Sequence, residues 1–184
     1  MLGHSWAGMV TSRISVLLVE DHSLLRKELR RTLDDDPEIV VVGEAANGAE
    51  AVELAERLVP EVVVMDLAMP VMDGIQATRR MLAQNPGTAV LILSMNAQES
   101  CIRKAFHVGV RGYVVKGAAN LDLAAAIKDI ATGKQVLSCG TAGSCPAPAS
   151  ARAGKPVPPR TFVSAGPASP CHPRSPAKKQ GVRI

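Results

Sequence analysis

The stretch EVVVMDLAMPVMDG, residues 61–74, decides the fold. Its four apolar residues, Val62 to Met65, run without a polar break and end in one carboxylate, Asp66. A short apolar run between breakers suits a strand buried on both faces, as in a parallel sheet covered by helices. Asp66 then stands at the carboxyl end of that strand, where open α/β sheets place their ligands. Pro70 and Gly74 bracket a loop, and Asp73 caps a helix predicted to begin near Gly74. Taken alone, the stretch also allows Asp66 to be a loop carboxylate that merely ends a strand. The flanking sequence decides.

Working outward, residues 14–19 (ISVLLV) form a second buried-type strand that ends in Glu20-Asp21. A helix follows with Leu25, Leu29 and Leu33 on one face, and Asp34-Asp35-Asp36-Pro37 stops it. Residues 39–42 (IVVV) make a strand, and Asn47-Gly48 opens a helix with Val52, Leu54, Ala55 and Leu58 inward. After the central stretch, a helix over about 74–84 turns Ile75, Thr78, Met81 and Leu82 inward. Residues 89–93 (AVLIL) give a strand ending at Ser94, and a more polar helix spans about 98–107. A short strand, Tyr113-Val114-Val115, ends at Lys116, and a last helix runs over 121–131 with Gly133 as its stop. Five strands alternating with five helices imply a parallel sheet with right-handed crossovers and helices on both faces. Glu20, Asp21, Asp66, Ser94 and Lys116 all end strands and so share one sheet edge. Polar residues commonly end strands, but acids, a hydroxyl and one lysine are the parts that handle a phosphoryl group.

Length and charge set the frame. A chain of 184 residues holds one domain of ordinary size, and aromatics at 2% leave the core aliphatic. The net charge of +4 is unevenly spread: seven Lys/Arg and no acid fall in 138–184, leaving 14 basic and 17 acidic residues before it. This is an acidic domain with a basic tail. Three of the four cysteines lie in that tail without CxxC spacing or a histidine cluster, so neither zinc nor a disulfide framework is supported. No segment reads as a membrane span or a secretory signal, so a cytoplasmic location is expected. Residues 1–12 read as a disordered leader, with Met9 an alternative start to Met1.

The set VEDH, VVVMDLAMPVMDG, LILSM and GYVVKG resembles the receiver domain of two-component response regulators, over roughly residues 13–135. The wording SMNAQES and AFHVGVRGYVVKGA is similar to the NarL/FixJ branch, whose members usually add a LuxR-type helix-turn-helix. The resemblance implies a flavodoxin-like (βα)5 fold with strand order 2-1-3-4-5. It also implies phosphorylation of one aspartate by a partner histidine kinase, and a regulatory switch rather than an autonomous enzyme. Matched by motif, Asp66 is the phosphoacceptor, Glu20 and Asp21 join it in holding Mg²⁺, and Ser94, Tyr113 and Lys116 form the switch set.

Elementary electrostatics supports the same roles. Carboxylates crowded about one point repel by about 4 kcal/mol per pair at about 4 Å and an effective dielectric near 20. An oxygen-loving divalent cation relieves this, and the backbone carbonyl of Ala68 suits a metal contact that ignores the side chain. Lys116 brings an ammonium to the added phosphate and Ser94 a hydrogen bond. Ser94 drawn toward the phosphate leaves space that Tyr113 fills by rotating inward, changing the surface over residues 98–131. An aspartyl-nucleophile phosphohydrolase, similar to the haloacid dehalogenases, is the alternative enzyme reading. Its second acid, two residues after the nucleophile, is here Ala68, which argues against it.

Residues 136–184 are expected to be a disordered tail holding nine of the 13 prolines, seven basic residues and no apolar periodicity. Such a composition suits a shifted reading frame in GC-rich DNA or a truncated output region; the other reading is a basic tail with non-specific affinity for nucleic acid. The expected partners are a histidine kinase and a weak phosphorylation-dependent homodimer, with no specific DNA binding from this chain and no membrane. A regulator with its DNA-binding output in the tail is the third functional reading.

Overall fold

In the computed structural model, which describes residues 12–117 and 122–138, the apolar runs pair side by side. They become β1 (Ile14–Val19), β2 (Ile39–Ala45), β3 (Val62–Met65), β4 (Ala89–Ser94) and β5 (Gly112–Val115). Between them lie α1 (Ser23–Asp34), α2 (Gly48–Leu58), α3 (Gly74–Gln84) and α4 (Glu99–Val108), with α5 (Leu123–Ala131) after β5. Every pairing is parallel and the order is β2-β1-β3-β4-β5, the flavodoxin-like arrangement expected.

One strand was not expected. Residues Val136–Ser138 form β6, parallel to β5, so the sheet has six strands and the folded region passes the boundary at 135. All three residues are half-buried, and a three-residue run is too short to show a period in sequence. The predicted tail beyond 138, residues 1–11 of the predicted leader over 1–12, and Leu121 at the start of the last predicted helix lie outside the described residues.

The sheet is buried on both faces by two aliphatic clusters. On one face Leu17, Val63, Met65, Val90 and Ile92 pack against Ala51 and Ala55 of α2, Ala77 and Met81 of α3, and Ile102 and Ala105 of α4. On the other, Val16, Leu18, Val64, Leu91 and Val114 meet Leu33 of α1 and Ile127 and Ile130 of α5. Two-sided burial is why these strands read as unbroken apolar runs rather than alternating ones. Inward predictions hold for Leu33, Ala55, Thr78 and Met81, with Ile75 and Leu82 only partly covered. Leu58 is 39% exposed, against expectation. It ends α2 over the edge strand β2, beside Gly43, where no further strand covers it among the described residues.

The helix starts follow capping chemistry. Asn47 Oδ1 accepts from the amides of Ala49 and Glu50, Asp73 Oδ1 from Gln76, and Asp122 Oδ1 from Ala125. Lys128 on α5 reaches Asp36 Oδ2 at 2.9 Å and Glu38 Oε2 at 2.5 Å in the loop before β2. The hydrogen bonds that its ammonium donates, to Glu38 first and then Asp36, push the Lys128 pKa up to about 12.

Candidate functional site

Backbone ladders run one residue past the strand ends and thereby set the site. The Glu20 amide donates to Ala45 O, Asp66 to Val19 O, and Lys116 to Ser94 O. Glu20, Asp66 and Lys116 are thus held by neighbouring strands at one edge, as the sequence predicts. Glu20, Asp66 and Ser94 are all buried there.

Lys116 is the centre of this geometry. Its ammonium donates to Glu20 Oε2 at 2.6 Å and to Asp66 Oδ2 at 2.8 Å. The other oxygen of Asp66 accepts from the Leu67 amide at 2.6 Å and the Ala68 amide at 3.4 Å. Burial works against the charge on Lys116, but its hydrogen bonds to Asp66 and Glu20 outweigh it and hold its pKa above the ordinary lysine value. Asp66, Ala68, Ser94 and Lys116 line one cavity of about 510 Å³, which is rimmed by Leu24 and Met95, both 76% exposed.

Asp21 sits beside this pair rather than within it. Ligand atoms of Glu20, Asp21 and His22 lie within 4.8 Å of one another, and Asp66 is not part of that group. Asp21 Oδ1 is buried without a hydrogen bond; His22 Nδ1 is 2.9 Å away, an ion-pair distance without hydrogen-bond alignment. An orphaned carboxylate oxygen next to Glu20 fits a divalent cation, whose hard charge favours oxygen ligands. His22 was missed by sequence reasoning, although VEDH places it directly after the acids.

The Ser94 hydroxyl accepts from the Asn96 amide at 3.2 Å. Tyr113 is fully buried, and its hydroxyl donates to Asn96 O at 2.6 Å. The inward position expected after switching is therefore the one seen, and Asn96, not singled out from sequence, is its anchor. Burial raises the Tyr113 pKa above 10.0, and the nearby Ser94 hydroxyl opposes that.

These shifts carry a sign. A group whose folded pKa is raised adds stability that is fully present below its unfolded value and is lost as pH rises through the folded value. Urea stability should thus decline above pH 10.0 for Tyr113 and above 10.5 for Lys116. Tyr113→Phe removes the first contribution, so its decline should begin later than that of the wild type. Coincident alkaline profiles would show that Tyr113 takes no part.

Gly74 fixes the loop from behind. Its amide donates to Leu67 O, and a Cβ built on it would lie 2.1 Å from Asp66 O. Val71, nearby and 86% exposed, holds a left-handed φ of 68°, an unfavourable region for a β-branched residue.

Comparison with known proteins gives a consistent result. The family model described as response regulator receiver domain matches residues 16–128. The transcriptional regulatory protein DegU of Brevibacillus brevis is 35% identical over 122 residues, covering 66% of this chain and 52% of that protein. The nitrate/nitrite response regulator protein NarL of Escherichia coli is 34% identical over 124 residues, covering 67% and 57%. The chain therefore spans about half the length of the curated relatives it matches. Among solved structures, a LuxR-family two-component response regulator from Aurantimonas sp. SI85-9A1 superposes with TM-score 0.66 at 36% identity, covering 68% of this chain and 89% of that one. The signal receiver domain of the putative response regulator NarL from Mycobacterium tuberculosis gives 0.64 at 31%, covering 67% and 99%.

Proposed function

The chain belongs to the response regulator receiver domain family, and from that premise we propose that Asp66 accepts a phosphoryl group from a partner histidine kinase. The observation that carries the reading is the convergence of two buried carboxylates, Glu20 and Asp66, on the half-buried Lys116 ammonium, beside a cavity that Asp66, Ser94 and Lys116 line. In the step itself, a carboxylate oxygen of Asp66 attacks phosphorus, the P–N bond to the kinase imidazole breaks, and an acyl phosphate forms. Water later attacks that phosphorus and releases inorganic phosphate. Glu20, Asp21, Asp66 and the Ala68 carbonyl would hold Mg²⁺, which supplies charge neutralisation for the incoming phosphoryl oxygens. Lys116 keeps a cation beside the added phosphate, and Ser94 supplies a hydroxyl once it leaves the Asn96 amide.

On this reading the protein is a regulator and not an autonomous enzyme, and its output is the surface over 98–131 presented to a second copy or another partner. DegU is named a transcriptional regulatory protein; transcription control is the role an intact family member would have. Among the described residues no helix is long and apolar enough to cross a membrane. Incubation with acetyl phosphate and Mg²⁺ should label the protein at about one phosphate per chain. No label at Asp66 would end this reading.

Lys116→Ala provides a separate check. It leaves Glu20 and Asp66 without the ammonium between them, and breaking a buried ion pair costs about 3–5 kcal/mol. The metal-free variant should therefore melt well below the wild type, and Mg²⁺ should restore more of its stability than it adds to the wild type. Equal gains on adding Mg²⁺ to both proteins would mean that Lys116 does not oppose the metal.

A further inference from the structure

The sixth strand stands against the one tyrosine of the chain. In the β5–β6 ladder Tyr113 is the register partner of Leu137, and both side chains join the same core cluster. Val136 packs against the opposite cluster, and its amide donates to Arg111 O at 3.0 Å. The tyrosine hydroxyl is tied to Asn96 O, two residues past Ser94, which lines the cavity with Asp66 and Lys116. One line of contacts thus runs from the acidic site through Asn96 and Tyr113 to β6.

The geometry restricts how Tyr113 can move. Its ring is fully buried, with β4 on one side of β5 and β6 on the other. A ring that leaves the core on the side away from β4 enters the sheet margin. Side chains of register partners on adjacent parallel strands stand side by side on one face. That path therefore crosses the position of Leu137. Without β6, β5 would be the edge strand and the ring would have solvent there. The docked strand and the outward ring compete for one volume.

We propose that β6 is a latch, docked only while Tyr113 points inward, and that it passes the state of the Asp66 site to the residues that follow position 138. The coupling to Asp66 rests on the function proposed above; the competition between Leu137 and the outward ring does not. By linkage, a ligand that favours the inward ring must tighten β6, and loosening β6 must weaken that ligand by the same factor.

The test uses the full chain with ¹³C on the tyrosine ring, where the one tyrosine gives one signal. Leu137→Ala should speed amide exchange over 136–138, and separately Val136→Pro over 137–138, and each should move the ring signal toward that of free tyrosine. Leu137→Met should keep the wild-type signal. Beryllofluoride with Mg²⁺, a mimic of the phosphoryl group, should return the Leu137→Ala signal to the wild-type position and bind that variant more weakly than the wild type. A wild-type ring signal in a variant whose β6 amides exchange freely would overturn the latch, as would a β6 that stays protected in both variants. A ring that stays outward with beryllofluoride overturns the coupling to the site. Acetyl phosphate labelling of the same sample then shows whether Asp66 still accepts phosphate, which separates that failure from a failure of the function itself.

Discussion

Asp66→Asn abolishes labelling by acetyl phosphate in the presence of Mg²⁺, while the protein stays folded. The substitution is nearly isosteric, so an amide oxygen can still accept from the Leu67 amide as Asp66 Oδ1 does now. Lys116 retains Glu20 Oε2 at 2.6 Å, so its ammonium is not left alone in the interior. What disappears is the anionic oxygen that must attack phosphorus, and a carboxamide does not replace it at neutral pH. The label should fall to background as measured by phosphate-affinity electrophoresis, with the circular dichroism spectrum unchanged. Stoichiometric labelling of the variant at Asp21 or Asp73 would move the acceptor away from Asp66.

Among the described glycines, Gly74→Ala should be the most damaging added methyl group. Its Cβ would sit 2.1 Å from Asp66 O and 3.1 Å from Leu67 Cα, and both are backbone atoms with no side chain to yield. Overpacking usually costs about 1–3 kcal/mol, and a backbone obstacle places this case at or above about 3. Because the displaced peptide carries Asp66, phosphorylation should slow as well as stability fall. Gly87 supplies the control, since a Cβ there meets nothing within 4 Å. Urea denaturation should show Gly87→Ala within about 0.5 kcal/mol of the wild type, as for surface changes generally. If the two variants prove equally stable, the tight approach of Gly74 to Asp66 does not hold in solution.

Much of the architecture was legible because burial on both faces leaves a mark on composition. Runs such as ISVLLV and VVVM suit central strands, and each delivered a polar residue at its carboxyl end. Capping was legible too: Asn47 and Asp73 make the amide contacts expected of them. Sequence did less well wherever a residue's neighbours come from a distant part of the chain. Leu58 reads as an inward position of an amphipathic helix, yet it hangs over β2, which is an edge strand among the described residues. Ala77, too small to stand out in a hydrophobic pattern, is fully buried between α3 and the sheet.

The site divides in the same way. By itself, the sequence determined which residues end strands, and therefore that Glu20, Asp66, Ser94 and Lys116 share an edge of the sheet, because strand period and chain direction are local properties. Only the tertiary structure decided that Lys116 lies between Glu20 and Asp66 rather than beside one of them. It alone buried Tyr113 against Asn96 and set Leu137 beside that ring. Each of these depends on distances between segments tens of residues apart. Such distances follow from how the two faces of the sheet pack, which no window of the sequence contains.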